Sequence, residues 1–557
     1  MAFDLPLADL FPPSWAELAS GLLERFTDVP GIRRLLALGL TSLFAIHVTS
    51  TLIVLVGGLK RVHGIAGLKR PFFPYGIPGL TFPTSYVNPG YYFLWLWRAT
   101  NYKRFNSEIF SFVGLLSGSS MLFTNNLDIA RQVAGGSNID WEKPLSHSVG
   151  VLIWGMNVLA ATGGAEWRKH RRIMGPAFNN DIYRAVWKKA IETYRVMLAN
   201  EGWEGNKVNQ VDSVRVLTTK FALLVFGTCG FGIDFNWSDP ELSSEGDMSL
   251  HHALDLVNNR QSLQLVPEWI KRLPIKFFTE YREAKATVDA WLRTQIAERK
   301  ELVRGHTGNM NLGKDCFTYL VKANEDEGKI IRLTDEELMG NIFVLLVAGH
   351  ETTAHSLAAT LAHLALDQDV QNEVLEQIIE VVGWDREPVF EDYNSLNKVL
   401  SAFYESLRMY PTVHIMFRET TSDTVLRVPK PPGEEGYEPL PLSKGTLIVV
   451  DMVGLQYNER YFDEPEKYKP SRWYGMPNDS ETVSAFSIGP RACIGRKFAT
   501  SEVVPFLTLL LRDWKVEPLL RDGETIDQWK AKVFDTRIMM TLGVKDVPLR
   551  FARRERA

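Results

Sequence analysis

Near the carboxyl end of the chain stands FSIGPRACIGRKFA, residues 486 to 499. Its one cysteine, Cys493, is hemmed in by Gly489, Pro490, Arg491 and Gly495. A buried structural thiol behaves as a small hydrophobe and needs no such surroundings. Glycine and proline suit a tight turn, one through permissive dihedrals and the other through a fixed φ. A turn of this kind aims backbone N–H groups at the sulfur and stabilises a thiolate that can ligate a metal. Gly495 lets the following helix approach a flat cofactor, Arg491 offers a cation to carboxylates, and Phe486 offers a ring to shield the sulfur. The chemistry implied is ligation through Cys493.

Three further stretches combine residue types that could do chemistry. In AGHETT, residues 348 to 353, Ala348 and Gly349 leave space beside a helix, while Glu351 and Thr352 put an acid and a hydroxyl into an apolar run. A threonine there also bonds back to its own helix in many proteins. In AFYESLRMYP, Glu405 and Arg408 are three apart and share a helix face, and EKYKPSRW supplies Arg472. Taken alone, such a pair reads as a solvated surface contact. A carboxylate between two guanidiniums, in contrast, makes enough charge-assisted bonds to be buried. In WRKHRR, residues 167 to 172, Trp167 and Arg171 lie one helical turn apart, a spacing that a basic surface helix would also give.

These residues must be positioned by a mainly helical body with a small β part. The clearest helix runs from 333 to 366, opened by a capping box of Thr334 and Glu337 and apolar nearly all round, which places it in a protein centre. A second long helix is expected from Glu280 to Arg304. Strands are expected near Met121 to Thr124 and between Arg418 and Asp451. Residues 35 to 59 carry no charge and are long enough to cross a bilayer. Basic residues follow them and acidic ones precede them, which predicts an uncleaved anchor with the bulk of the chain cytosolic. The expected organisation is residues 1–34 lumenal, 35–59 transmembrane, 60–83 a proline- and glycine-rich hinge, and 84–557 the catalytic body. Trp15 to Phe26 reads as an amphipathic helix. The 62 Lys+Arg against 66 Asp+Glu exclude a general nucleic-acid binder. Three scattered cysteines exclude a disulfide framework and structural zinc. FGTCGFG, residues 226 to 232, is not a dinucleotide loop. Asn236 and Asn478 begin glycosylation sequons that a cytosolic body would not use.

The cysteine loop, with FxxGxRxCxG met at every fixed position, resembles the haem-binding loop of the cytochrome P450 family. The other three stretches resemble that family's motifs in the same order, over roughly residues 70 to 545. The resemblance implies the P450 fold and haem b with the Cys493 thiolate as axial ligand. It implies haem contacts from Phe486, Gly489 and Gly495, and propionate contacts from Trp167, Arg171, Arg418 and Arg491. Thr352 and Glu351 would handle oxygen and protons, and Glu405, Arg408 and Arg472 would lock the core beneath the haem loop. The style of the chain is similar to fungal members.

The implied function is a membrane-anchored haem-thiolate monooxygenase. It would insert one oxygen atom of O2 into a lipophilic small molecule, in a setting such as secondary metabolism. No flavin or iron–sulfur module is visible, so electrons would come from NADPH through cytochrome P450 reductase, with cytochrome b5 as a further partner. Arg496, Lys497, Lys467 and Lys469 are docking cations on this reading. The endoplasmic reticulum, with the body facing the cytosol, is the implied location. Pocket walls are expected from about 136 to 162, Gln261 to Trp269, the Ala348 face, Val413 to Met416 and Val533 to Asp535. Two alternatives stay open: a haem-thiolate isomerase or dehydratase needing no reductase, and a haem-binding sensor without catalysis.

Overall fold

The computed structural model describes residues 30–555 except 136–139, 239–247, 261–262, 265, 306–314, 327, 329–330, 431–433, 478–483 and 539–540. Trp15 to Phe26 and Asn478 fall outside these residues. Helix accounts for 54% of the chain and strand for 12%, the mainly helical build the sequence predicts. The chain divides into two compact units, residues 1–124 with 423–449, and residues 125–422 with 450–557.

The first unit contains helix α1, Pro30–Arg61, on which large apolar side chains such as Leu35, Leu43, Phe44, Ile53 and Val56 stand exposed. Within it, Thr41–Arg61 is long and apolar enough to cross a membrane. Strand β1, Gly67–Arg70, pairs in parallel with β2, Ile109–Gly114, and β2 pairs antiparallel with β3, Ser120–Thr124. Gly67 makes the first pairing possible, because a Cβ there would lie 1.9 Å from the Ser111 carbonyl oxygen. The proline- and glycine-rich stretch is therefore structured: its start belongs to β1, and Ile77–Thr81 is a short helix. A hairpin of Thr424–Pro429 and Tyr437–Leu442 completes this unit.

The second unit carries all the residues singled out above for chemistry. Its framework helices are α2, Gly164–Met174; α3, Asn180–Asn200; α4, Val214–Phe231; α5, Leu250–Asn259; α6, Lys276–Gly305; α7, Asp335–Leu366; α8, Asn397–Met409; and α9, Arg496–Asp513. Helix α7 starts with both halves of the Thr334–Glu337 capping box in place, and most of its length is buried. It packs against α4. A Cβ at Gly349 would come within 2.2 Å of the Phe226 ring, so glycine there admits the phenylalanine. Burying such a ring stabilises the fold by roughly 1.5–3 kcal/mol. Both α4 and α7 are long and apolar enough to span a bilayer, but they are buried inside the protein. FGTCGFG is the carboxyl end of α4, closed by Gly232 at φ 65°, and the residues directly before it are helix, not strand. Val208–Val211, Leu549–Arg553 and Trp514–Pro518 form a three-stranded antiparallel sheet.

Candidate functional site

The cysteine loop is a tight turn running into α9. Gly489 sits at φ 72°, and a Cβ there would approach the Ala134 carbonyl oxygen to 2.5 Å, so no other residue fits. The Ala492 N–H donates to the Gly489 carbonyl at 2.9 Å, and the Cys493 N–H donates to the Phe486 carbonyl at 2.9 Å. Cys493 is exposed. Protein nevertheless encloses the sulfur so closely that burial raises the thiol above its ordinary value. Both hold if the sulfur lines an internal hollow. The backbone N–H groups of Gly495 and Arg496, with the charges of Arg171 and Arg496, pull the thiol the other way. They do not outweigh burial; a coordinated cation would. A Cβ at Gly495 would meet only the Cys493 sulfur, at 3.9 Å, so the space beside it is open. The Phe486 ring stands edge-on to Tyr404 at 6.2 Å, with the Arg496 guanidinium 5.4 Å from its centre.

Basic residues gather around the same unit's interior. Arg491 donates to the carbonyls of Ala161 at 2.6 Å and Thr162 at 2.8 Å and lies over the Trp167 ring at 5.2 Å. Arg418, on the strand Ile415–Thr420, is buried and donates to the Phe417 carbonyl at 2.8 Å. Burial lowers Arg491 to about 10. Burial and then repulsion from Arg491 lower Arg418 to about 10. Arg171, one turn after Trp167 on α2, is also lowered by burial, opposed by the nearby Cys493 sulfur. Thus α2 and the cysteine loop converge: Trp167 meets Arg491, and Arg171 lies within electrostatic reach of Cys493.

Midway along α7 the pattern of burial breaks. The turns on either side are buried, but Ala348 to Thr352 are half-exposed in succession, so the helix passes a space at this point. The Thr352 hydroxyl donates back to the Ala348 carbonyl at 2.9 Å, which leaves its oxygen free to accept. Glu351 accepts from Asn258 Nδ2 of α5 at 2.6 Å and from the Thr541 hydroxyl at 2.7 Å. His355, one turn later, brings Nε2 to 3.8 Å from the same carboxylate. His350 contacts the Leu346 carbonyl through Nδ1 at 2.7 Å, a side chain satisfied by its own helix.

Glu405 is completely buried and accepts five hydrogen bonds. Arg408 binds it through Nε and a terminal nitrogen, both at 2.9 Å, and Arg472 Nε reaches it at 3.0 Å. The Trp473 indole N–H at 2.9 Å and the Lys469 backbone N–H at 3.0 Å complete the set. Arg408 spends its remaining donors on the carbonyls of Gln456 and Pro465, both at 2.8 Å. The three residues come together as one network. Trp473 stands directly after Arg472 in the sequence, so its indole donor had a local signal; Asn258 and Thr541 have none.

One cluster has the composition of a metal site, but its hydrogen bonds oppose that use. Glu166, His170 and Glu337 bring one ligand-type atom each within 4.8 Å of one another. Asn341 accepts from the Val158 N–H through Oδ1, and its Nδ2 donates to the Glu337 carbonyl and to His170 Nδ1. The Nδ1 of His170 is therefore the acceptor, its proton sits on Nε2, and the nitrogen facing the carboxylates has no lone pair to give. Lys169 already pairs with Glu337.

The model of the cytochrome P450 family matches residues 98–539. The chain is 32% identical to cytochrome P450 monooxygenase 124 of Postia placenta over 512 residues, covering 89% of this chain and 95% of that protein. It is 27% identical to cytochrome P450 monooxygenase prx9 of Penicillium rubens, covering 76% of this chain and 78% of that protein. Human cytochrome P450 4F11 is 26% identical, covering 70% and 74% respectively.

Proposed function

The chain belongs to the cytochrome P450 family and is a monooxygenase, and from that premise we propose that it inserts one oxygen atom of O2 into a lipophilic small molecule with electrons from NADPH passed by a separate reductase. The family carries a haem-thiolate iron cofactor. The residues here fit one. The Cys493 sulfur is accessible although protein encloses it, Gly495 leaves open space beside it, and Arg171, Arg418 and Arg491 form no ion pair with a carboxylate among the described residues. When bound, haem supplies dioxygen binding and activation, with the thiolate donating electron density.

This chain's own side chains divide the remaining work. Cys493 would ligate the iron, and Phe486 would shield the sulfur. Trp167, Arg171, Arg418 and Arg491 would hold the propionates, whose charge offsets the burial of those cations. Thr352 would accept a hydrogen bond at its hydroxyl oxygen, because its proton is committed to Ala348. Glu351 would hold and pass a proton at its carboxylate, kept in place by Asn258 and Thr541. Glu405, Arg408 and Arg472 would fix the strand and loop framework without touching substrate. A lipophilic substrate is supported by the apolar side chains offered at Ala348, Leu159 and Val413. Helix α1 supports membrane anchoring, with the endoplasmic reticulum and a cytosolic catalytic body as the proposed arrangement. The fungal relatives support a setting in secondary metabolism, and cytochrome b5 is a second proposed donor.

The observation that carries this reading is the enclosed yet accessible sulfur of Cys493. Reduction of the purified protein under carbon monoxide should give the strongly red-shifted absorption band of a thiolate-ligated haem. A Cys493→Ala protein that keeps the band would remove Cys493 as the ligand.

A further inference from the structure

A hinge is expected from residue 60, yet α1 and β1 are joined by only the five residues 62–66, which are tied at both ends. The His63 N–H donates to the Lys60 carbonyl at 3.1 Å and the Ile65 N–H to the Val62 carbonyl at 2.9 Å. From β2, the Ser111 hydroxyl donates to the Ile65 carbonyl at 2.7 Å. Val54, Gly58 and Val62 stand four apart, on one face of α1 as it ends. Gly58 lies against the turn between β2 and β3. A Cβ there would come within 2.2 Å of the Gly118 carbonyl oxygen, and one at Gly118, itself at φ 63°, within 2.4 Å of the Val54 carbonyl. Val62 is buried and lines a small hollow with Met121 and Leu122 of β3. A Cβ at Gly57, one position away, would meet nothing. The backbones of helix and turn therefore touch along one face, and two glycines permit that approach.

We propose that α1 docks on the β2–β3 turn through Gly58 and Gly118, and that this contact seats the turn, Leu116 foremost, in the interfacial layer of the lipid bilayer. This rests on the membrane anchoring proposed above. Val54 precedes Lys60 by six residues, about 9 Å along the helix axis. The headgroup layer is about 5–7 Å deep on each side of the hydrocarbon. With Lys60 and Arg61 at the water side of that layer, the turn that touches Val54 reaches the level of the acyl chains. The side chains found there suit that level. Leu116 is exposed, and its N–H donates to the Pro71 carbonyl at 3.1 Å. The Leu115 N–H donates to the Arg70 carbonyl at 2.7 Å, and the Arg70 guanidinium lies 3.9 Å from the centre of the exposed Tyr86 ring. Tyrosine and basic side chains are favoured where membrane meets water. The occupant of this surface is lipid, continuous with the lipid around α1.

The test uses the full-length holoprotein in phosphatidylcholine vesicles, with a nitrobenzoxadiazole dye attached at the turn through Leu116→Cys. Wild-type protein taken through the same labelling sets the background from Cys229, Cys316 and Cys493. Spin labels on the lipid acyl chains should quench the dye about threefold. Gly58→Leu should remove most of that quenching, because its side chain has no room against Gly118. Gly57→Leu, one position away and facing open space, should keep it. Flotation with the vesicles and the carbon monoxide band should be unchanged in both. Should Gly58→Leu fail to fold, Gly58→Ala takes its place in the comparison, since even a methyl group exceeds the space. A dye at residue 116 that the acyl-chain labels do not quench overturns the proposal, and so does equal quenching in the Gly57 and Gly58 variants. Wild-type protein that does not float with the vesicles overturns the anchoring reading instead, which flotation separates from a fault in the docking.

Discussion

Asn258 on α5 donates its side-chain N–H to Glu351 on α7 at 2.6 Å, across 93 positions of sequence. With the Thr541 hydroxyl at 2.7 Å on the other oxygen, the carboxylate is held by two neutral donors, with no Lys or Arg paired to it among the described residues and His355 Nε2 at 3.8 Å. An acid held this way can exchange a proton without first breaking an ion pair. Glu351→Gln keeps the size and an oxygen for Asn258 while removing the exchangeable carboxyl proton. Product formation should fall roughly a hundredfold. The carbon monoxide band should be unchanged. A variant with wild-type turnover would take proton transfer away from Glu351.

Thr352 is placed to accept rather than donate, since its proton lies on the Ala348 carbonyl at 2.9 Å. Thr352→Ala deletes the acceptor and leaves Ala348 unchanged; at Gly349, where the sequence suggested open space, the Phe226 ring fills it instead. NADPH consumption should continue while product per NADPH falls by roughly fivefold or more and hydrogen peroxide rises to match. Thr352→Ser should recover most of the coupling. Product and peroxide yields measured against NADPH consumed decide it, and unchanged coupling in Thr352→Ala would strip the hydroxyl of this role.

The parts of the site legible in the sequence are those whose partners lie on one element or in one loop. Glu405 and Arg408 are three apart on α8, Trp167 and Arg171 are four apart on α2, and the whole turn around Cys493 is contiguous. Long-range partners gave no such signal. Asn258 and Thr541 reach the site through packing that no local spacing encodes. Helix α6 begins at Lys276, one turn before the expected Glu280, because Pro274 ends the preceding turn and the helix can start directly after it. The stretch after the anchor reads as a linker by composition, yet its start is a strand, because Gly67 lacks the Cβ that would collide with Ser111.

Glu405 is wholly buried with Arg408 almost as deep, whereas Arg472 keeps 11% of its side chain exposed. Removing the shared acceptor strands Arg408 inside the protein, and breaking such a pair costs about 3–5 kcal/mol. Glu405→Ala should therefore yield little folded, haem-loaded protein. Arg472→Ala removes one charged hydrogen bond and should cost about 1.5–3 kcal/mol. Trp473→Phe removes the indole donor and should lie in the same range or below it. Thermal unfolding followed by haem absorbance should rank the three in that order. An equal loss for Glu405→Ala and Trp473→Phe would contradict the network described.

His363 is buried on α7, with its ring stacked against Tyr468 at 4.5 Å and Phe534 at 4.7 Å. Burial, and next the charge of Arg408, depresses its imidazole to about 3. His414, also buried, is depressed to about 4. In the unfolded chain both take a proton near pH 6.5, while in the folded protein they stay neutral. The unfolded state thus binds more protons as pH falls below 6.5, and stability drops by about 1.4 kcal/mol per pH unit for each such histidine until its folded value is reached. His363→Phe preserves the stacking and deletes one of the two titrations. Urea unfolding at pH 7, 6 and 5 should show the wild type losing more stability than the variant as pH falls, with the slope between pH 6 and 5 smaller in the variant by about 1.4 kcal/mol per unit. Parallel pH dependences would mean that His363 accepts a proton in the folded protein, against the burial that surrounds it.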